Sequence, residues 1–301
     1  MKIGECFKVD FSENNILSHS YLIRRTSMSY KFMSDALDNN LMPIGKSDFL
    51  NLFKDLEIGE GDILIAHVSL SKFGYIIGGA RCVYEALMER LGGSGTLVVP
   101  TQSLENMSPE YWEYPKVPKE WIEKIKKESL SYDVDLSSTR GMGKFSEFVM
   151  NLKHSVRSSH PLYSFSAVGE KAQEIIKEHP LDDGLGYNSP LGRLYDQNAK
   201  ILLLGTDFES NTALHLAEYS LNRKTIKESA NVDGEWLEFS NIELDIYDDF
   251  LVVQKEFLEN CKGSYQIKEI QKTSVLCIDL KSCVDFAKEY YRKKEEINSF
   301  S

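Results

Sequence analysis

The chain has 301 residues, of which 42% are hydrophobic, enough for one large α/β domain or two modest ones. Its formal net charge of -11 excludes a general nucleic-acid binder, which needs a basic face against phosphates, and suits a cationic small molecule. The five cysteines, Cys6, Cys82, Cys261, Cys277 and Cys283, form no CxxC pair, and no histidine stands at metal-ligand spacing, so they read as reduced core thiols with no metal site.

The first residues, MKIGECFKVDFSENN, lack the basic-then-apolar pattern of a signal peptide, and no apolar run approaches a membrane span. A soluble, cytoplasmic protein without membrane partners is expected. Residues 1–43 are polar with scattered aromatics and no sustained period, and read as an arm or cap on a domain spanning 44–301. Ser47 at an N-cap position followed by helically spaced apolar residues predicts a helix that stops before Gly59 and Gly61.

Residues 62–70 then form a mostly apolar strand, Gly78-Gly79 opens a helix to Leu91, and residues 96–102 form a second buried strand. Strand, helix and strand bounded by glycines predict a right-handed βαβ unit with parallel strands. The polar residues His67, Ser69, Ser71, Thr101 and Gln102 would then line one edge of the sheet. The Trp-, Tyr- and Pro-rich stretch 105–135, with a helix near 119–129, reads as a packed surface excursion in preference to a lid or wall of a pocket.

Thr139-Arg-Gly-Met-Gly143 ahead of a helix offers backbone N–H groups and a cation to an anion. It fits neither the Walker pattern nor the dinucleotide fingerprint. Residues 164–169 read as a short strand and 170–178 as a helix. The turn 179–186 carries adjacent Asp182 and Asp183, which conformational preference explains better than ligand binding does.

A strand at 200–205 feeds, through a polar turn, a helix with His215 and Glu218 three residues apart on one face. The carboxyl end of such a strand is where open α/β sheets place their chemistry. From spacing alone, an acid/base pair and a core histidine beside a solvated glutamate fit equally. Beyond it come 235–239, a helix over 248–260, strands at 264–270 and 273–278, and a closing helix over 280–292. They predict an antiparallel extension of the sheet or a small second lobe, and no linker divides the chain.

These residues resemble the aminoglycoside 3-N-acetyltransferase family, also called the antibiotic N-acetyltransferases, over residues 44–292. The likeness rests on an ordered set: His67-Val-Ser-Leu-Ser71, Gly78-Gly79, residues 95–101, Thr139-Arg-Gly-Met-Gly143, Arg157-Ser-Ser-His-Pro161, residues 164–169 and 179–186, Ser189-Pro-Leu-Gly-Arg-Leu-Tyr195, residues 202–205, and Asn211-Thr-Ala-Leu-His-Leu-Ala-Glu218. The resemblance implies an α/β fold, α/β/α layered around a central mixed sheet. It also implies transfer of an acetyl group from acetyl-coenzyme A to the 3-amino group of an aminoglycoside, without a metal.

By the match, His215 is the general base, oriented by Glu209 or Glu218, which the sequence does not rank. An ammonium group cannot attack a thioester, and an imidazole suits removal of its proton. The cofactor side is assigned to His67, Ser69, Ser71, Arg140, Met142, Gly143, Arg157 and Ser158. Asp182, Asp183 and Glu105 are the carboxylates offered to a cationic amine. The N-terminal arm lies outside the likeness, and the turn 206–209 varies where family members differ. A non-antibiotic amino sugar or biosynthetic amine as acceptor, a non-catalytic coenzyme-binding protein, and a homodimer all stay open.

Overall fold

The strand Ile63–Val68 (β1) faces two cores at once. Ile63 and Ile65 belong to one apolar cluster, and Leu64 and Ala66 to another on the opposite side of the sheet. A strand covered on both faces needs apolar residues on both, which is why residues 63–66 read as an unbroken apolar run before His67. The computed structural model describes residues 31–113 and 115–299.

Before β1 come the helices Lys31–Asp38 (α1) and Lys46–Asp55 (α2). After it follow Gly79–Leu91 (α3), Thr96–Pro100 (β2), Lys119–Glu128 (α4), Gly143–Met150 (α5), Val156–Arg157 (β3) and Phe165–Gly169 (β4). The chain continues through Ala172–Ile176 (α6), Pro190–Asp196 (α7), Lys200–Leu204 (β5), Ala213–Glu218 (α8), Thr225–Val232 (β6) and Glu235–Ile242 (β7). Phe250–Asn260 (α9), Tyr265–Ile270 (β8), Thr273–Asp279 (β9) and Leu280–Ser299 (α10) complete the described chain.

Seven strands form one mixed sheet in the order β3-β4-β2-β1-β5-β9-β8. β1 runs parallel to β2 and to β5, as the βαβ pattern predicts, with Ile65 opposite Val98 and His67 opposite Leu203. The outer strands are antiparallel to their neighbours. Helices α2, α3 and α5 cover one face, and α6 to α10 cover the other, giving the expected α/β/α layers.

Both alternatives for the C-terminal third are realised. β8 and β9 extend the sheet, while β6 and β7 form a separate hairpin. Its turn is Asp233-Gly234, both with positive φ, the mirror-image turn that matches strand twist. β6 escapes sequence reading because its Lys, Glu, Ser, Ala and Asn residues carry no β propensity. The aromatic excursion packs on this hairpin: Ser108 N–H donates to Ser229 O at 2.7 Å, and Trp236 Nε1 donates to Lys126 O at 3.2 Å.

Residues 1–30 of the expected arm lie outside the described residues. Nearer the domain, Ala36 is buried and Gln271 Nε2 donates to Met42 O at 2.5 Å. The last helix runs past the expected end at 292, where Arg292 pairs with Glu289 and Glu296. Among the described residues no helix is long and apolar enough to cross a membrane.

Candidate active site

The chain leaves β1 toward β2 on one side, and β5 lies on the other, so the carboxyl end of β1 is where a crevice opens in such a sheet. Period-two alternation puts His67 on the same face as Ile63 and Ile65, the face that α8 covers. β5 stops at Gly205, whose φ of +72° favours glycine and where a Cβ would stand 2.6 Å from Phe73 Cε2 and 3.0 Å from Ser69 O. Ser69 N–H donates to Leu204 O at 2.9 Å, tying the loop after β1 to this strand end.

The turn that follows is self-bonded: Asp207 accepts from Glu209 N–H at 3.2 Å, and Thr206 and Ser210 hydroxyls meet at 2.7 Å. It delivers α8, on which His215 Nδ1 lies 2.7 Å from Glu218 Oε2. A carboxylate only accepts, so Nδ1 carries the proton and the lone pair of the uncharged ring sits on Nε2. Glu218 is 1% exposed. Its other oxygen accepts from Arg223 Nη1 and from Asp245 N–H, the latter at 2.8 Å.

Burial alone would raise the Glu218 pKa, yet the hydrogen bonds and charges of His215 and Arg223 hold it below the usual carboxylate range. Arg223 is itself buried, with its guanidinium 5.4 Å from the Tyr247 ring and 5.6 Å from the Tyr291 ring. Glu295 on α10 pairs with it at 3.3 Å, so the final helix closes the chain His215, Glu218, Arg223, Glu295.

A cavity of about 540 Å³ opens beside this chain. His67, Ser69, Ser71 and Gln102 form its sheet side, and Gly141, Met142, Gly143 and Lys144 at the start of α5 form a second wall. Thr206, Glu209, Ser210, Thr212 and His215 form the third. Burial, then the charges of Asp248, Asp207 and Asp245, push the Glu209 pKa up, so three further carboxylates lie near this lining residue.

His67 is buried in the sheet side, and its Nε2 has no hydrogen-bond partner among the described residues. Burial first, and the charge of His215 second, lower its pKa to about 3, so the ring is uncharged at neutral pH. An orphaned buried nitrogen costs about 1–3 kcal/mol unless a ligand satisfies it. The cavity thus offers a hydrogen-bonding ligand serine hydroxyls on one wall and helix N-terminal amides on another.

Of the residues given a catalytic, cofactor or substrate role from the sequence, His67, Ser69, Ser71, Met142, Gly143, Glu209 and His215 meet at the cavity, joined by the edge residue Gln102, and Glu218 stands behind His215. The structure ranks the two glutamates: Glu218 bonds the imidazole, and Glu209 lines the wall. The other six are not among the cavity's lining residues. Arg157 spends its guanidinium on Ser164 Oγ, Ser137 O, Thr101 O and Ser103 Oγ at 2.5–3.1 Å, bracing loops.

Ser158 Oγ accepts from Phe165 N–H and donates to His179 Nδ1, each at 2.9 Å. Asp182 accepts from Ser240 N–H at 2.9 Å and Asp183 from Asn188 N–H at 2.6 Å, both as turn and hairpin anchors. Glu105 accepts from Ser138 and faces the exposed Arg140 at 3.6 Å. Thr101, expected at the edge, is buried against Ser166. Arg223, Asp245, Asp248 and Lys144 were not singled out in the sequence, since nothing in their local spacing marks them.

A histidine fixed by a buried carboxylate, at a cavity on the carboxyl edge of a mixed sheet, defines an α/β enzyme site equipped for proton transfer. The chain belongs to the aminoglycoside 3-N-acetyltransferase family, which its residues 65–292 match, and is therefore an acyltransferase. It is 34% identical over 272 residues to the SPbeta prophage-derived aminoglycoside N(3')-acetyltransferase-like protein YokD of Bacillus subtilis (strain 168), covering 88% of this chain and 99% of that protein. The YokD crystal structure superposes with a TM-score of 0.79 over 83% of this chain and 94% of that one.

Aminoglycoside N(3)-acetyltransferase IX of Micromonospora chalcea is 32% identical over 209 residues, covering 67% of this chain and 73% of that enzyme. The structure of AAC-IIIb in binary complex with CoASH shares the fold at 24% identity and a TM-score of 0.72, over 84% of this chain and 98% of that one.

Proposed function

We propose that the protein acetylates the 3-amino group of an aminoglycoside from acetyl-coenzyme A, with His215 as the general base. The observation that carries this reading is the 2.7 Å contact from His215 Nδ1 to Glu218 Oε2, which leaves Nε2 as the proton acceptor at the cavity wall. The coenzyme supplies the activated acyl group as a thioester. Ser69, Ser71 and the α5 N-terminus around Met142 and Gly143 hold it, and Arg140 and Glu105 stand outside the cavity.

His215 Nε2 takes the proton that the ammonium loses, and the freed nitrogen lone pair forms the C–N bond. The C–S bond breaks, its electron pair leaves on sulfur, and the proton held by His215 returns to that thiolate or to water. Buried and paired, Glu218 steadies the imidazolium in between. Glu209, Asp207, Asp245 and Asp248 supply negative charge to the remaining ammonium groups of a polycation. Cys82, Cys277 and Cys283, buried as free thiols, fit a reducing cytoplasm.

The test is release of coenzyme A thiol from acetyl-coenzyme A in the presence of a panel of aminoglycosides, with the acylated nitrogen located by NMR of the product. Thiol release with amino sugars alone would move the acceptor to that class. Inertness toward every amine would leave a coenzyme-binding protein.

A further inference from the structure

Resting on that reading, one cavity residue remains without a task. We propose that the imidazole of His67 donates a hydrogen bond to the carbonyl oxygen of the acyl donor and stabilises the negative charge that gathers there as the amine attacks. Four observations support this. His67 stands at the carboxyl end of β1, in the wall of the cavity that His215 also lines. Its Nε2 is buried and has no partner among the described residues, which is unusual for a structural histidine.

His160 and His179, the other buried histidines among the described residues, show the contrast: each has both ring nitrogens satisfied by protein atoms. Finally, burial and the nearby His215 keep the His67 ring uncharged, so it is a poor base but a serviceable donor. An uncharged imidazole polarises a carbonyl without repelling the cationic amine that must approach the same carbon. Fixed on a central strand between β2 and β5, it is preorganised, so little reorganisation accompanies the charge shift.

The step adds no atoms to the transfer: the proton of the His67 N–H stays on nitrogen while the carbonyl electron pair moves onto oxygen and returns as the C–S bond breaks. His67→Leu removes the donor, and His67→Gln keeps an N–H near the same place. The direct readout is the infrared carbonyl stretch of [1-13C]acetyl-coenzyme A bound without any amine. It is expected at lower frequency in the parent and His67→Gln than in His67→Leu, and one frequency in all three overturns the proposal.

In turnover, His67→Leu is expected to lower kcat about 100- to 1000-fold, with the KM for acetyl-coenzyme A close to that of the parent. His67→Gln should recover at least roughly tenfold of that loss. A raised KM with kcat intact makes His67 a binding residue only, and equal losses in both variants make its role one of packing; either result overturns the proposal. If His67→Leu does not fold, His67→Met takes its place. A parent inert toward every amine refutes the functional reading instead, and the carbonyl spectrum still decides the role of His67.

Discussion

His215 and Glu218 stand three residues apart on α8 and are joined at 2.7 Å through Nδ1 and Oε2, with the carboxylate buried and the imidazole at the cavity wall. One side chain faces the cavity, and the other holds it in place. His215→Ala should therefore lower kcat about a hundredfold or more. Acetyl-coenzyme A binding, followed by calorimetry, should be unchanged. Full turnover by this variant would remove His215 as the base.

Glu218 is coupled to the fold as well as to the histidine. Arg223→Met leaves the buried carboxylate without its cationic partner, and is expected to destabilise the protein by on the order of 3 kcal/mol. Urea unfolding of the variant and parent measures it. A difference below about 1 kcal/mol, the size of a surface pair, would show that the Glu218–Arg223 contact is not the desolvated pair described.

The carboxylates around Glu209 should act on the acceptor and not on the donor. Glu209→Gln combined with Asp248→Asn is expected to raise the KM for a polycationic amine roughly tenfold, with less effect in high salt because exposed charges are screened. The KM for acetyl-coenzyme A should stay within about twofold of the parent value. Equal changes in both constants would place the cluster elsewhere in the reaction.

Acid should weaken the fold through buried imidazoles. Burial lowers the pKa of His160 to about 4, and burial together with His160 lowers that of His179 to about 3. Both lie below the ordinary value near 6.5, so the unfolded chain binds more protons once the pH falls below about 6.5. Stability is complete above that pH and is lost on the way down, by on the order of 1–2 kcal/mol per imidazole at pH 5. Urea midpoints measured from pH 7 to pH 5 should fall; a flat profile would mean these rings are not held uncharged.

Gly205, packed against Phe73 and Ser69 at the end of β5, tests how the fold builds the site. Gly205→Ala must accommodate a Cβ 2.6 Å from Phe73 at a positive φ, and is expected to cost roughly 2 kcal/mol or more. Thermal unfolding checks this, and an unchanged midpoint would show that the loop after β1 yields freely.

The sequence by itself determined most of the central elements and their order, because hydrophobic period and glycine punctuation are local properties, whereas the polar β6 carried no such signal. Glycine-bounded apolar runs gave β1, α3 and β2, and spacing of three put His215 and Glu218 on one helical face. Ordered motifs carried the family likeness. What only the tertiary structure decided were the partners, because hydrogen-bonding capacity is spent on residues distant in the chain.

Arg157 offers the same cation in sequence as any phosphate ligand, but Thr101 and Ser137, 56 and 20 residues away, have already taken its donors. Ser158 is likewise consumed by His179. Glu218 was indistinguishable from Glu209 until folding buried one against Arg223 and set the other at the cavity wall. His67 is one polar residue at the end of an apolar strand in sequence; folding leaves it buried and uncharged at the cavity wall, with Nε2 unpartnered among the described residues.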